Sequence, residues 1–187
     1  MTVKKSFKRE ILEWVVTIVI ALGVAWSIRL FVIQPFRVQM SSMYPTLHND
    51  DLILINKLSF VGTQPGRGDI IVFTPPNHAE GDGIEYIKRI IGLPGEYIEI
   101  ESGTVYINGH KLEENDDHTK TNYNQHFNVE SDSDKKGILL GPDEFYVMGD
   151  NRGGSLDSRT FGPIKRDSIL GRAFIVFWPA IRLQVLQ

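Results

Sequence analysis

Glu85–Ile91 reads EYIKRII. As a strand, it sends Tyr86, Lys88 and Ile90 to one face, while Arg89 shares the other with Glu85, a candidate partner. A lysine held between an aromatic and an aliphatic neighbour is drawn out of water, and desolvation lowers the pKa of an amine. To act as a base near neutral pH it must fall from about 10.4 to about 8, a differential of about 3 kcal/mol, within what burial supplies. The bland alternative is a lysine that snorkels from a sheet edge.

Similar short runs lie on both sides: Leu52–Ile55, Ile70–Phe73, Tyr97–Ile100, Thr104–Ile107, Phe145–Met148 and Ala173–Trp178. Clusters of Gly, Pro, Asn and Asp separate them at 64–68, 75–77, 92–95 and 149–154. Short strands at this spacing predict an all-β domain. Asn108-Gly109, inside VYINGH, is the signal of a tight hairpin. No long amphipathic helical period follows residue 35. Residues 111–136 carry seven acids and few aliphatics, which predicts a polar insertion on the surface. His118 and His126 stand among those carboxylates but match no ligand spacing, so no metal is expected.

The N-terminus differs in kind. Trp14–Ile33, WVVTIVIALGVAWSIRLFVI, is 20 residues with one charge, Arg29. As a helix it spans about 30 Å, the thickness of a bilayer's hydrocarbon core. Trp14 and Trp26 lie toward its two ends, as interfacial anchors do, and Arg29 is placed to snorkel. The run is long for a signal peptide, and no small-x-small site follows before Pro35, which predicts an uncleaved anchor. Lys4, Lys5, Lys8 and Arg9 precede it with no acid among residues 1–9, whereas from Pro35 onward 15 basic residues face 21 acidic ones. The positive-inside rule then puts residues 1–10 in the cytoplasm, the anchor at 11–34 and the domain 35–187 outside. With a net charge of −3 and no basic face, nucleic acid is not an expected partner. The chain has no cysteine, which excludes disulfides, Cys-based metal sites and a cysteine nucleophile.

Two further segments bear on chemistry. Ser41–Leu47, SSMYPTL, follows the expected membrane exit by about eight residues, and Pro45 stiffens the loop beside the serines. A hydroxyl held there beside the bilayer suits a nucleophile, which needs a base. His48 is near in sequence but follows a turn-like stretch, and Lys88 is the stronger candidate. Gly149–Arg159, GDNRGGSLDSR, is glycine-rich but ends in no G-K-[ST], so it is not a phosphate loop. Its Asp150, Asp157, Arg152 and Arg159 are candidates to pair and fix an irregular loop.

Together these segments resemble bacterial type I signal peptidases, in the small single-anchor form typical of Gram-positive bacteria. The resemblance rests on Ser42–Leu47 (SMYPTL), Arg67–Phe73 (RGDIIVF), Tyr86–Gly95 (YIKRIIGLPG) and Gly149–Arg159, in that order after the anchor. It implies a mostly β, antiparallel catalytic domain behind a single transmembrane helix, with an apolar surface meeting the membrane. It implies a serine endopeptidase with Ser42 as nucleophile and Lys88 as general base. Ser155 would hydrogen-bond and orient the lysine, Asp157 and Arg159 would form a supporting ion pair, and Asp150 would be another supporting carboxylate. The Ser42 N–H would serve the oxyanion hole, and Tyr86 and Ile87 would help line pockets for small residues at substrate positions −3 and −1. The expected partners are preproteins with signal peptides and the lipid bilayer, with no obligate protein partner and no cofactor. Met40 departs from the family, which often has Ser or Gly two residues before the nucleophile, and a methionine side chain cannot donate to the oxyanion. The rivals are an inactive homologue that only binds preproteins and a self-cleaving Ser–Lys repressor, which would need a DNA-binding domain where residues 1–34 stand.

Overall fold

The structure is a computed structural model describing residues 7–76, 84–113 and 137–186. Helix α1 (Phe7–Phe31) leads into strands β1 (Ile33–Arg37), β2 (Leu52–Asn56), β3 (Ile70–Phe73) and β4 (Tyr86–Gly92). Next come β5 (Tyr97–Glu101), β6 (Thr104–Ile107), β7 (His110–Lys111), β8 (Gly137–Leu139) and β9 (Glu144–Met148). A four-residue helix α2 (Ser158–Phe161) precedes β10 (Ile164–Lys165), β11 (Ile169–Trp178) and β12 (Gln184–Val185).

Every strand expected from sequence alternation forms, most with extended ends. The apolar N-terminal run forms a helix, but it stops at Phe31 and the chain is already extended at Ile33. Pro35 is tolerated in β1 because this strand lies at the edge of its sheet. The apolar side chains of α1 between Ile11 and Trp26 lie outside the core, with Trp14 66% and Leu22 65% exposed. Among the described residues, Lys8–Ser27 is the stretch long and apolar enough to cross a membrane, and none of it is buried. The insertion from residue 114 to 136, with His118 and His126, lies outside the described residues.

The strands build two antiparallel sheets. The larger has the order β1-β2-β11-β3-β4-β9-β10 with β12 added on β11, and the smaller runs β7-β6-β5-β8. Alternation along β3 explains the core. Ile70 and Val72 join Val38, Met43, Leu47 and Ile87 in one cluster, while Ile71 and Phe73 join Ile90, Phe145 and Val147 in another. β3 is therefore buried on both faces, and each such side chain contributes about 1.5–3 kcal/mol. A third cluster, with Tyr146 and Met148 against Ile98 and Val105, seats the small sheet on the large one. Gly92 permits that contact, because a Cβ there would lie 2.7 Å from Ile98 Cδ1 and 2.9 Å from Tyr146 Cβ. The Asn108-Gly109 turn forms as the sequence predicts, both residues at positive φ (52° and 78°), joining β6 to β7.

Candidate active site

The loop between β1 and β2 carries Ser42. Its ends are tied by the Val38 N–H to the Asp51 carbonyl (2.8 Å) and the Asp50 N–H to the Val38 carbonyl (2.9 Å). Met43 and Leu47 plug the core beneath it, and the Leu47 N–H reaches the Met43 carbonyl at 2.9 Å. Ser42 thus rides a compact turn anchored by two apolar side chains, and it is 8% exposed.

Lys88 comes from the middle of β4, opposite Ile71 of β3. Its Nζ lies 2.8 Å from Ser42 Oγ and 2.9 Å from the Ile87 carbonyl oxygen. The Tyr86 ring sits 5.4 Å from the amine, and the lysine is 4% exposed. Burial lowers its pKa from 10.5 to about 8, against the opposing pull of the Asp157 and Asp150 carboxylates. The neutral amine is therefore accessible near physiological pH and lies within hydrogen-bond reach of a hydroxyl, the geometry required of a general base.

The Gly149–Arg159 segment packs against this pair. Asp157 is fully buried and accepts from the Gly149 N–H (3.0 Å), from Arg159 Nε (2.8 Å) and from Arg159 Nη2 (2.8 Å). It also caps α2 through the Arg159 N–H. Asp157 and Arg159 thus form a buried ion pair. Asp150 accepts a two-pronged contact from Arg89 Nε (2.9 Å) and Nη2 (2.8 Å), so Arg89 engages Asp150 rather than the Glu85 expected from strand alternation. Strand geometry places neighbours on one face but does not reveal a loop that arrives from 61 residues away. Thr46 Oγ1 completes the Asp150 site at 2.6 Å. Arg152 turns inward to the Gly149 carbonyl (3.0 Å), and the Asn151 N–H donates to the Ser42 carbonyl (3.0 Å).

Ser155 departs from expectation. Its Oγ is buried with no hydrogen-bond partner among the described residues, so it does not orient Lys88 here. The lysine amine meets Ser42 Oγ and the Ile87 carbonyl instead. Ser155 instead packs on Gly149, where a Cβ would collide with Ser155 Oγ and with the Ser42 carbonyl oxygen. Only glycine lets these two backbones close. Tyr86 is half-buried with Phe73 and Phe161 beside the amine. Ile87 is 4% exposed, its side chain in the same core cluster as Met43.

Met40 holds φ at 67°, in the left-handed region, with its side chain 70% exposed and its N–H donating to Asn49 Oδ1 at 2.8 Å. Neither group is directed to an oxyanion. The Ser42 N–H, by contrast, carries no hydrogen bond among the described residues. His48 lies against Tyr44, ring centroids 5.0 Å apart, and its Nε2 sits 3.1 Å from Arg182 Nη1. Thr46, Arg89, Asn151 and Gly149 are the site residues that sequence reasoning did not assign. Only their presence within the recognised boxes signals them.

Comparison with known proteins finds signal peptidases. The family model described as "Signal peptidase, peptidase S26" matches residues 11–178. Signal peptidase I S of Bacillus subtilis (strain 168) is 40% identical over 182 residues, 93% of this chain and 92% of the relative. Signal peptidase IB of Staphylococcus aureus (strain COL) is 33% identical over 180 residues, 92% of each chain. A crystal structure of a signal peptidase I from Enterococcus faecalis V583 is 31% identical, covering 59% of this chain and 97% of that one, at a TM-score of 0.44. The ordered sequence boxes, the family model over residues 11–178 and the Bacillus and Staphylococcus relatives lead to one assignment: the chain belongs to the S26 family of signal peptidases.

Proposed function

We propose that this protein is a membrane-anchored serine endopeptidase that removes signal peptides from exported preproteins, cleaving after small residues at −3 and −1 by a Ser42–Lys88 dyad. The observation that carries the reading is the 2.8 Å contact between the Lys88 amine and Ser42 Oγ in a buried setting. Neutral Lys88 takes the Ser42 proton as Oγ forms a bond to the scissile carbonyl carbon. The free Ser42 N–H stabilises the oxyanion. As the C–N bond breaks, the Lys88 ammonium returns the proton to the leaving amine. Lys88 then takes a proton from water, which attacks the ester, and Ser42 recovers its proton as it leaves. No cofactor enters these steps.

Asp157 with Arg159, and Asp150 with Arg89, hold the loop that packs behind Ser42 and Lys88. Tyr86, over the floor formed by Ile87, borders the shallow pockets that admit small side chains. α1 anchors the enzyme in the cytoplasmic membrane, with the basic tail inside and the β domain outside. A signal peptide spanning the same bilayer would then deliver its cleavage site to the outer surface.

The test is cleavage of a preprotein with an Ala-x-Ala site by purified full-length chain in detergent, from pH 6 to 10. Wild type should cut after the second Ala, its rate climbing through pH about 8 as Lys88 loses its proton. Ser42→Ala and Lys88→Ala should both be inactive. Equal cleavage by all three would reject the dyad.

A further inference from the structure

The last segment of the chain folds back onto the Ser42 loop. A turn at Ala180–Arg182 returns it to β12, which pairs with β11 through Ile175↔Val185 and Val176↔Gln184. Ile181 is 93%, Leu183 64% and Val185 73% exposed, so burial of these side chains does not hold the segment down. Leu186 alone of its apolar residues enters the core, beside Met43 and Leu47.

The remaining contacts are polar and converge on the Ser42 loop. Arg182 Nε lies 3.0 Å from Asp51 Oδ1, and Nη2 lies 3.1 Å from Oδ2. Asp51 is 1% exposed, and its other donor among the described residues is the His48 N–H at 2.8 Å. Arg182 Nη1 reaches His48 Nε2 at 3.1 Å. Gln184 Nε2 donates to the Thr46 carbonyl at 2.9 Å. Thr46 passes this constraint on, because its Oγ1 holds Asp150, which holds Arg89 next to Lys88. One guanidinium and one amide from the C-terminal segment thus fix the back of the turn whose front presents Ser42.

We infer that Ala180–Leu186 is a clamp that sets Ser42 against Lys88, with Arg182 its positioning residue; the catalytic consequence rests on the dyad reading above. Without Arg182, the buried Asp51 carboxyl loses its guanidinium partner, and the turn is free to shift. A displacement of about 1 Å at a nucleophile costs about 10²-fold in rate.

The experiment compares full-length wild type, Arg182→Lys and Arg182→Ala in detergent, reading kcat, KM and backbone amide exchange at Leu47 and Asp51. Arg182→Ala should lower kcat about 10- to 100-fold with KM within about twofold, and speed exchange at both amides about tenfold while β3 and β4 are unaffected. Arg182→Lys, keeping charge but not the fork, should fall between. Should Arg182→Ala not fold, Arg182→Lys and Gln184→Ala carry the same comparison. An unchanged kcat in folded variants, even with a lower melting temperature, overturns the inference, as does exchange in the loop that matches wild type. A wild type that cleaves no preprotein counts against the proposed function instead, and the exchange measurement then decides the clamp by itself.

Discussion

Lys88 and Ser42 meet at 2.8 Å but are held in place by different means. Lys88 stands in the interior of the large sheet, with β3 and β9 hydrogen-bonded on either side of its strand. Ladder pairing fixes its backbone, and burial between the sheet and the Gly149–Arg159 loop lowers its pKa. Ser42 has no ladder. It is carried by a turn that two apolar plugs pull downward, that the Asn151 N–H meets from one side, and that Thr46, Asp51 and the C-terminal segment secure from behind. The proposed base is a strand residue whose position is locally encoded, and the proposed nucleophile is a loop residue whose position is assembled from distant parts. Changes at the base should therefore act on charge and chemistry, and changes behind the nucleophile on alignment.

The largest effect should come from Lys88→Met. Cleavage should fall by about 10⁴-fold or more, as expected when a member of a catalytic unit is lost. Stability should move the other way. Below pH about 8 both folded and unfolded chains hold the Lys88 proton, and only the folded state bears the burial cost, about 3 kcal/mol for a shift from 10.5 to about 8. Above 10.5 neither state is protonated and the cost is gone. The variant should therefore melt higher than wild type at pH 6.5, with the advantage shrinking toward pH 10. Equal melting at both pH values would mean that the amine is not desolvated.

Asp157→Asn should come next. Breaking a buried pair costs about 3–5 kcal/mol, readable in denaturant unfolding. Because Asp157 raises the Lys88 pKa, its neutralisation should also move the rising limb of the pH–rate profile to lower pH. A limb that stays in place would separate the ion pair from the base.

Thr46→Val tests the nucleophile side. It removes the Thr46 Oγ1 donor to Asp150 while keeping the side chain's shape, at a cost of about 1–2 kcal/mol in stability. The rate should drop several-fold with the pH limb moving much less than in Asp157→Asn, since Arg89 still holds Asp150 in place.

Ser155→Ala should have the smallest effect on the folded protein. Its Oγ is buried without a partner among the described residues, so removing it should leave stability unchanged or raise it by about 1 kcal/mol. A large loss of cleavage alongside unaltered melting would mean that the hydroxyl finds Lys88 only when substrate is bound.

Several parts of the molecule could be read in advance because their signals are local. The strands β2, β3, β4, β5, β6, β9 and β11 are runs of β-branched and aromatic residues, and the Asn108-Gly109 turn states its own geometry. The short strands β8, β10 and β12 have too few residues to show alternation, and their pairing is set by neighbours already in place. β1 was hidden because its Ile33 continues the apolar run of α1, so no change in composition marks the boundary. Lys88 was legible as a base candidate from the neighbours it has on β4. The partner of Arg89 was not, since Glu85 lies on the same strand face while Asp150 lies on a separate loop. Nor did the family pattern foretell that Ser155 Oγ would stand behind Gly149 without a partner among the described residues.

By itself the sequence determined the apolar helix, the β class of the body and the pairing of a strand lysine with a loop serine as candidates. These follow from periodicity, turn chemistry and the order of four boxes. Tertiary structure alone decided which donor meets which carboxylate. Asp51 and Arg182 are 131 residues apart, and Ser42 and Lys88 are 46 apart. Contacts at such separations arise only when sheet closure brings the segments together, because neither side chain carries any local preference for the other.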